Sequence, residues 1–141
     1  ALGINQLKRI KKIIKKKKDI GKYYYENLRY IPNIYIQKPK LKNNIENIYW
    51  VVGLLIKNKK TTAEKFRIEL KKLGVETRAF FWPMHRQTAL KKNKIKFKGS
   101  FKNSDYLSKY GFYLPSGIET TKKDIRFIVN CVKKITNKLN F

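Results

Sequence analysis

A run of nearly continuous apolar sequence, Ile48 to Ile56 (IYWVVGLLI), constrains the fold of this chain more than any other stretch. β-branched and aromatic residues dominate the run, and such residues favour extended structure. It therefore predicts a central strand that is buried on both faces or nearly so, which requires helices packed over a sheet. Gly53 inside the run indicates a close approach of neighbouring backbone. A second, short strand is predicted at Ile34–Ile36.

A long helix is predicted over residues 1–30, ahead of these strands. Apolar residues recur there at spacings of three, four and seven, which places them on one broad face of a helix. Lysines fill the opposite face. Pro32 is expected to end the helix, because the residue before a proline avoids the α region. The apolar face comprises Leu7, Ile10, Ile13, Ile14, Ile20, Tyr24 and Leu28.

A second helix and a further strand are predicted after the apolar run. Thr61 and Glu64 have the spacing of a capping box, so a helix is expected to begin there and to end at Gly74 in a left-handed conformation. Apolar and polar residues alternate at the start of residues 75–81 and aromatic residues follow, which predicts a further strand. Residues 82–99 are predicted to be a loop. Strand, helix and strand in this order indicate a split α/β unit.

The C-terminal part is predicted to hold two helices around a short extended segment. Ser100 or Asn103 is expected to cap a helix that ends at Gly111, and the three residues after Gly111 are expected to be extended. Thr121, with Asp124 three residues on, opens the last helix. Its predicted buried stripe comprises Ile125, Ile128, Val129, Val132, Ile135 and Leu139.

These elements predict an α/β (α+β) fold, in which a small mixed or antiparallel sheet is flanked by helices and preceded by a long N-terminal helix. A length of 141 residues suits one compact domain. Ala1 lies inside the predicted first helix, with no initiator methionine and no cap before it. The sequence is therefore expected to be a piece of something longer.

The formal net charge of +26 raises the possibility of a nucleic-acid partner. Three features indicate that the positive charge has an origin other than nucleic-acid binding. Lysine is spread through every segment, asparagine and isoleucine are abundant too, as an AT-rich genome would encode, and the lysine runs fall where a helix should face solvent. A basic nucleic-acid-binding module remains the alternative function, since such a charge attracts polyanions in a salt-dependent way.

Several kinds of site are missing from the sequence. It has no glycine-rich phosphate loop, no HExxH, no carboxylates paired at a useful spacing and no Cys/His metal set. Cys131 is the single cysteine and is predicted to be a buried apolar thiol. No apolar run is long enough to span a bilayer and no signal peptide is evident, so we expect no membrane partner and a cytoplasmic location.

The segment from Gly74 to Leu90, GVETRAFFWPMHRQTAL, is the candidate functional loop. It holds the only histidine, His85, whose side chain titrates near neutrality when unperturbed and which lies where a loop leaves a strand. His85 either faces a substrate or packs under the loop against a backbone carbonyl. Arg78 either holds a phosphate through two hydrogen bonds or pairs with an acidic residue.

Phe80, Phe81 and Gln87 complete the set of candidate substrate-binding residues. The phenylalanines are either core or interface aromatics, or a wall against which a sugar or base stacks. Gln87 offers a donor and an acceptor, which suits recognition of a hydroxyl. Because nothing in the segment could perform covalent chemistry alone, we assign no catalytic residue.

Four stretches in order give the sequence a family resemblance. They are ALGINQLKRI at the start, NIYWVVGLLI at 47–56, GVETRAFFWPMHRQTAL at 74–90 and YLSKYGFYLPSGIETTKKDI at 106–125. Together they resemble the C-terminal part of the DegT/DnrJ/StrS-type nucleotide-sugar aminotransferases. Within that family, the residues of these motifs are most similar to those of the perosamine synthetase-like members. The resemblance covers nearly the whole chain.

This resemblance implies an aspartate-aminotransferase-like (fold type I) enzyme that uses pyridoxal phosphate. Such an enzyme moves an amine from an amino acid, commonly glutamate, to a nucleotide-linked keto-sugar for polysaccharide or O-antigen synthesis. The Schiff-base lysine and most cofactor contacts would belong to a large N-terminal domain, so this piece alone is expected to be inactive. Residues 1–32 would lead in from that domain, and residues 33–141 would form the small domain of a homodimer.

The resemblance also implies that the segment from Arg78 to Gln87 borders the substrate cleft, near the subunit interface. Phe80 and Phe81 stand where several relatives carry a His-Tyr pair, so stacking would replace hydrogen bonding there. His85 matches the histidine of the family's PMH motif. Thr88 replaces the proline that usually follows the motif's glutamine, which bears on the rigidity of the loop.

Overall fold

A computed structural model describes residues 2–40, 45–58 and 60–139. A long helix opens the described chain and another closes it, with four strands and shorter helices between them. In chain order the elements are α1 (Leu2–Leu28), β1 (Ile34–Ile36), β2 (Val52–Ile56), α2 (Ala63–Lys72), β3 (Arg78–Ala79), a 3₁₀ turn (Met84–Arg86), α3 (Thr88–Lys92), α4 (Lys102–Tyr110), β4 (Gly111–Leu114) and α5 (Lys122–Lys138).

The four strands form one antiparallel sheet in the order β1-β2-β4-β3. β2 pairs with β1 on one side and with β4 on the other, so the predicted central position of the apolar run is confirmed. β3 pairs with β4 at the edge. β2 and β3 therefore run parallel to each other with β4 between them, which is the split unit that the element order predicted.

The apolar run differs from its prediction at its beginning and in its burial. β2 starts at Val52 rather than Ile48, because Tyr49 has φ 51°, a left-handed conformation that interrupts extended chain. Burial along β2 alternates: every second residue from Val52 onward is buried, and the residues between are half-buried. Burial on both faces was therefore wrong, since the core helices cover one face.

On the buried side of the sheet, α1 contacts β1, and α2 contacts β3 and β4. Phe66 of α2 lies against Phe112 of β4, with ring centroids 5.6 Å apart. α5 contacts both α1 and α2. Burial of this apolar surface provides the main stabilisation of the fold. The predicted stripe of α5 is confirmed except at Leu139, which follows the helix and is half-buried, and Cys131 beside the stripe is buried as predicted; the buried members of α5 are Ile125, Ile128, Val129, Cys131, Val132, Ile135 and Thr136.

Helix α1 is buried only over its second half. Ile20, Tyr24 and Leu28 are buried, and the Tyr24 hydroxyl donates to the carbonyl oxygen of Pro115 at 2.8 Å. The first half of the predicted apolar face is exposed, as Leu7 shows with 67% of its surface accessible. An amphipathic helix usually buries its apolar stripe against another element. The stripe of α1 is fully buried only from Ile20 onward, and Ile13 and Ile14 ahead of it are half-buried.

Two predicted helix starts are displaced. Thr62 rather than Thr61 caps α2, because the Thr62 hydroxyl accepts the backbone N–H three residues on, at 3.4 Å. Helix α4 follows Phe101 with no side-chain cap, so neither Ser100 nor Asn103 has the predicted role. In both cases the helix begins a residue or two from the place that the capping pattern indicated.

The other predicted boundaries are partly confirmed. Thr121 and Asp124 form the reciprocal capping box of α5. Gly74 has φ 81° at the end of α2, a left-handed conformation that glycine adopts without strain. The strand predicted over 75–81 contracts to Arg78–Ala79, since its pairing with β4 covers only those residues. The loop predicted after it contains the 3₁₀ turn and α3.

The described ranges lack a membrane-spanning helix and a cluster of metal ligands. None of the helices there is both long and apolar enough to cross a membrane. The same ranges hold no group of three or more His, Cys, Asp and Glu side chains placed to bind a metal ion. The predicted division into residues 1–32 and 33–141 stays a prediction.

Candidate functional site on the open face of the sheet

The face of the sheet opposite the core, here called the open face, carries glycine, aromatic and basic residues. Tyr113 pairs with Gly53 on one side and with Arg78 on the other. Directly paired residues point to the same side of a sheet. These three residues therefore lie opposite the buried Phe112, and Gly111 shares their face because side chains alternate along a strand.

Phe80 lies flat across this open face. Its ring stacks on Tyr113 with centroids 4.5 Å apart and planes 26° from parallel. A Cβ atom built on Gly53 would lie 3.0 Å from the ring, and one built on Gly111 would lie 2.4 Å from it. The two glycines therefore make room for Phe80. The close approach that Gly53 indicated is real, although a side chain makes it rather than backbone.

A cavity of about 820 Å³ opens beside Phe80 on this face. Trp50 and Phe81 line it with nearly parallel rings, whose centroids are 6.3 Å apart and whose planes differ by 20°. Phe81 also meets Tyr113 edge-on at 5.9 Å. The cavity is lined by Trp50, Val51, Glu76, Thr77, Arg78, Ala79, Phe80, Phe81, Trp82, Tyr113, Leu114, Pro115 and Ser116.

Arg78 supplies the positive charge of this cavity. Its side chain is exposed, and no hydrogen bond or ion pair between described residues engages its guanidinium. Glu76, the acidic residue in the lining, instead pairs with Lys71 at 3.0 Å. Of the two interpretations of Arg78, pairing with an acidic residue is thus not observed. Its planar guanidinium is available to an anionic ligand.

The loop from Trp82 to Gln87 is closed by its own hydrogen bonds. The indole nitrogen of Trp82 donates to the carbonyl oxygen of Arg86 at 3.1 Å, and the Gln87 side-chain amide donates to the carbonyl oxygen of Trp82 at 3.2 Å. The backbone N–H groups of Arg86 and Gln87 donate to the carbonyls of Pro83 and Met84, each at 3.0 Å. The loop therefore has a defined shape without a proline after Gln87.

His85 ties this loop to helix α4. Its Nε2 atom lies 2.9 Å from Oδ1 of Asp105, and Nε of Arg86 lies 2.6 Å from the same oxygen. The imidazole also stacks on Phe101, with ring centroids 4.6 Å apart. The hydrogen bond from Arg86, and then the one from His85, hold the pKa of the Asp105 carboxyl below its usual range. Asp105 is therefore ionised at neutral pH and anchors two neighbouring loop residues.

The structure brings three of the five predicted site residues together. Arg78, Phe80 and Phe81 line the same cavity. His85 and Gln87 are not among its lining residues, and one polar side-chain atom of each, Nε2 in both cases, bonds within the chain as described above. A direct contact between either of them and a substrate stays a prediction.

Trp50, Tyr113 and Asp105 are members of this region that the sequence analysis did not single out. Trp50 belongs to an apolar run that was interpreted only as a strand, although the strand starts after it. Tyr113 lies in the short extended segment after Gly111. It is the half-buried residue of β4, and its side chain lies on the open face. Asp105 is twenty positions from His85, and no local pattern connects the two residues.

Neither of the two cavities beside β3 holds a pair of residues that fits pyridoxal phosphate as a resident group. A second cavity, of about 720 Å³, lies between α2, α4 and β3, but the lysines that line it, Lys102 and Lys109, are exposed, and its Asp105 is already engaged. Burial lowers the pKa of Lys17, yet its ammonium donates to the Ser116 carbonyl oxygen. Covalent attachment requires a free, positioned amine and a partner for the pyridine nitrogen. These cavities offer no such pair among the described residues.

The fold recurs in solved aminotransferase structures, about a third of whose length it covers. The chain superimposes on an aminotransferase, TlmJ, from Streptoalloteichus hindustanus with a TM-score of 0.84 at 17% identity, over 99% of this chain and 36% of that one. Helicobacter pylori PseC, an aminotransferase involved in the biosynthesis of pseudoaminic acid, gives 0.82 at 18% identity, over 97% of this chain and 36% of that one. The predicted fold class is confirmed.

The sequence itself then identifies the family. The model of the DegT/DnrJ/EryC1/StrS aminotransferase family matches residues 1–133. GDP-perosamine synthase from Vibrio cholerae is 30% identical over 138 residues, which is 97% of this chain. The chain belongs to the DegT/DnrJ/EryC1/StrS aminotransferase family, as the four sequence motifs implied. It spans 36% of the length of that synthase.

Proposed function

We propose that this chain is the small-domain part of a pyridoxal-phosphate-dependent aminotransferase that moves an amine from an amino acid to a nucleotide-linked keto-sugar. Glutamate is the expected donor, and the product would serve polysaccharide or O-antigen synthesis in the cytoplasm. The observation that carries the proposal is the match to GDP-perosamine synthase along 97% of the chain. That match runs through the segment that lines the cavity on the open face.

The chemistry would be divided between this chain and the rest of the enzyme. When bound, pyridoxal phosphate supplies the electron sink for transfer of the amino group. The residues that hold it would lie outside this chain, because neither cavity beside β3 holds a pair of residues that fits it. This chain alone would therefore be inactive, and its part would be to bind and orient the sugar nucleotide.

Three side chains would form the substrate wall. Arg78 would bind phosphate oxygens, since its guanidinium has no partner among the described residues. Phe80 and Phe81 would offer apolar ring faces, in place of side chains that donate hydrogen bonds. His85 and Gln87 would contribute by holding the shape of the loop that follows, because Nε2 of each bonds within the chain.

The exposed half of α1 supports a larger assembly. Its apolar side chains form a stripe on an otherwise basic helix, and an uncovered stripe of this kind commonly marks an interface. We propose that other parts of the intact enzyme, a homodimer, cover it. The exposed members are Leu2, Ile4, Leu7 and Ile10.

The test is whether this chain takes up the cofactor by itself. Mixed with pyridoxal phosphate, the folded chain is expected to develop no saturable visible absorbance. After borohydride reduction, peptide mass spectrometry should find only trace modification spread over many surface lysines, and the urea-unfolded chain is the control for that background. A single lysine modified stoichiometrically, and only in the folded chain, would show that the covalent site lies here and would refute the proposed division.

A further inference from the structure

We propose that Trp50 and Phe81 form a slot for the flat base of a nucleoside diphosphate, with Arg78 binding its phosphates. The inference rests on the proposed function for the kind of substrate. It goes further by assigning the nucleotide half of that substrate to particular side chains, one of which, Trp50, lies outside the loop that carries the other candidates.

The two rings are arranged for a planar guest. Their planes differ by only 20° and their centroids are 6.3 Å apart. A flat base between two rings requires ring planes about 7 Å apart, twice the carbon–carbon contact distance of about 3.5 Å, and the centroid distance of 6.3 Å is the upper limit of the present spacing. The rings must therefore move apart, and because Trp50 is 68% exposed and Phe81 is 69% exposed, little packing opposes that movement.

The surroundings of the slot suit the rest of a nucleotide. Tyr113 closes one side through its edge contact with Phe81, and in the sheet it is the direct partner of Arg78. Trp50, Phe81 and Arg78 line the same cavity, whose volume of about 820 Å³ lies in the range of ordinary ligand sites. One ligand can therefore reach the rings with its base and the guanidinium with its phosphates.

Stacking must be distinguished from general attraction, because the chain carries a net charge of +26. Any anion is drawn to such a surface, and that attraction weakens as salt is added. Stacking of a base on an aromatic ring involves the π face that every base has, and it persists in salt. A nucleoside without phosphate and a phosphate without nucleoside therefore separate the two contributions.

The experiment follows binding to the 141-residue chain at and above physiological salt. The ligands are GDP, UDP, guanosine and inorganic pyrophosphate, and the readout is the indole N–H resonances of Trp50 and Trp82. GDP and guanosine are expected to shift the Trp50 resonance, and the resonance of Trp82, which lines the same cavity, follows binding to the Trp50→Leu variant. Trp50→Leu and Phe81→Leu should each weaken both ligands about tenfold, whereas Arg78→Gln should weaken GDP and leave guanosine unchanged.

The matched control is Phe127→Leu, a phenylalanine on α5 that is 53% exposed and lies outside the cavity. It should bind all ligands like the unmodified chain. The proposal is overturned if GDP does not bind, if Trp50→Leu binds GDP normally, or if pyrophosphate binds as tightly as GDP. It is also overturned if the Trp50 resonance moves with protein concentration and not with GDP, since the surface would then pair two copies.

Failure of the slot and failure of the proposed function give different results. GDP binding requires neither cofactor nor amine transfer. If the chain binds GDP through Trp50 but supports no transamination when it is joined to a cofactor-binding part, the slot is supported and the proposed function is refuted. If transamination is equally fast, at the same substrate concentration, with and without Trp50→Leu, the proposed function is supported and the slot is refuted.

Discussion

Replacing Gly111 with alanine is expected to lower the free energy of unfolding by about 3 kcal/mol, the upper part of the usual range for overpacking. The new Cβ would lie 2.6 Å from the backbone carbonyl oxygen of Leu107 and 2.4 Å from the Phe80 ring. A side chain can move away, but the carbonyl belongs to the last turn of α4. Helix and strand must therefore separate, and urea unfolding followed by circular dichroism measures the loss.

The same substitution is expected to displace Phe80 from the open face. Its stacking on Tyr113, at 4.5 Å, should be lost, and the cavity beside it should change shape. Gly117→Ala is the matched control, because its Cβ would meet only the Thr120 hydroxyl oxygen at an ordinary 3.9 Å. Equal stability of Gly111→Ala and Gly117→Ala would show that α4 and β4 do not meet as described.

Gly21→Ala is expected to destabilise the chain by a similar amount, again about 3 kcal/mol. The added Cβ would lie 2.1 Å from Cγ of Tyr49. That ring is only 2% exposed, and its hydroxyl donates to the carbonyl oxygen of Gln37 at 2.7 Å. The ring therefore cannot swing aside without breaking this bond and opening the contact with α1. A thermal or urea unfolding curve measures the effect.

A double-mutant cycle tests the cause of that loss. With Tyr49→Ala in the background, Gly21→Ala should cost much less, since the atoms that it meets are gone. Gly3→Ala is the control on the same helix: nothing lies within 4 Å of its Cβ, so it should be neutral or slightly stabilising. A full loss that persists without the Tyr49 ring would mean that contact with Tyr49 is not the reason.

Hydrophobic periodicity predicted the helices and strands of this fold well, because the regularly spaced apolar residues are those that the folded chain buries. The stripe of α5 was predicted correctly from Ile125 to Ile135, since one face of the helix carries the apolar residues. The run at Ile48–Ile56 was harder, because an apolar run does not reveal which residue will leave the strand. Tyr49 does so with φ 51°, and its buried ring then fills space beside Gly21, which is a tertiary effect.

The candidate site was predicted only where its residues are neighbours in sequence. Arg78, Phe80 and Phe81 stand close together and were found as a group. Trp50 joins them through the order of strands in the sheet, which no local pattern contains. Asp105 likewise reaches His85 across the space between two separate elements. The anchoring of His85 to α4 could therefore not be read from the loop sequence.

The most direct test of the central claim joins this chain to a complete cofactor-binding part. The chain would replace its matching segment in the Vibrio cholerae GDP-perosamine synthase, and formation of GDP-perosamine would be measured. The synthase lacking its C-terminal segment is the control. We predict that the chimera forms GDP-perosamine and that the control does not. A folded, cofactor-loaded chimera with no more product than the control would contradict the claim that this chain supplies the substrate wall.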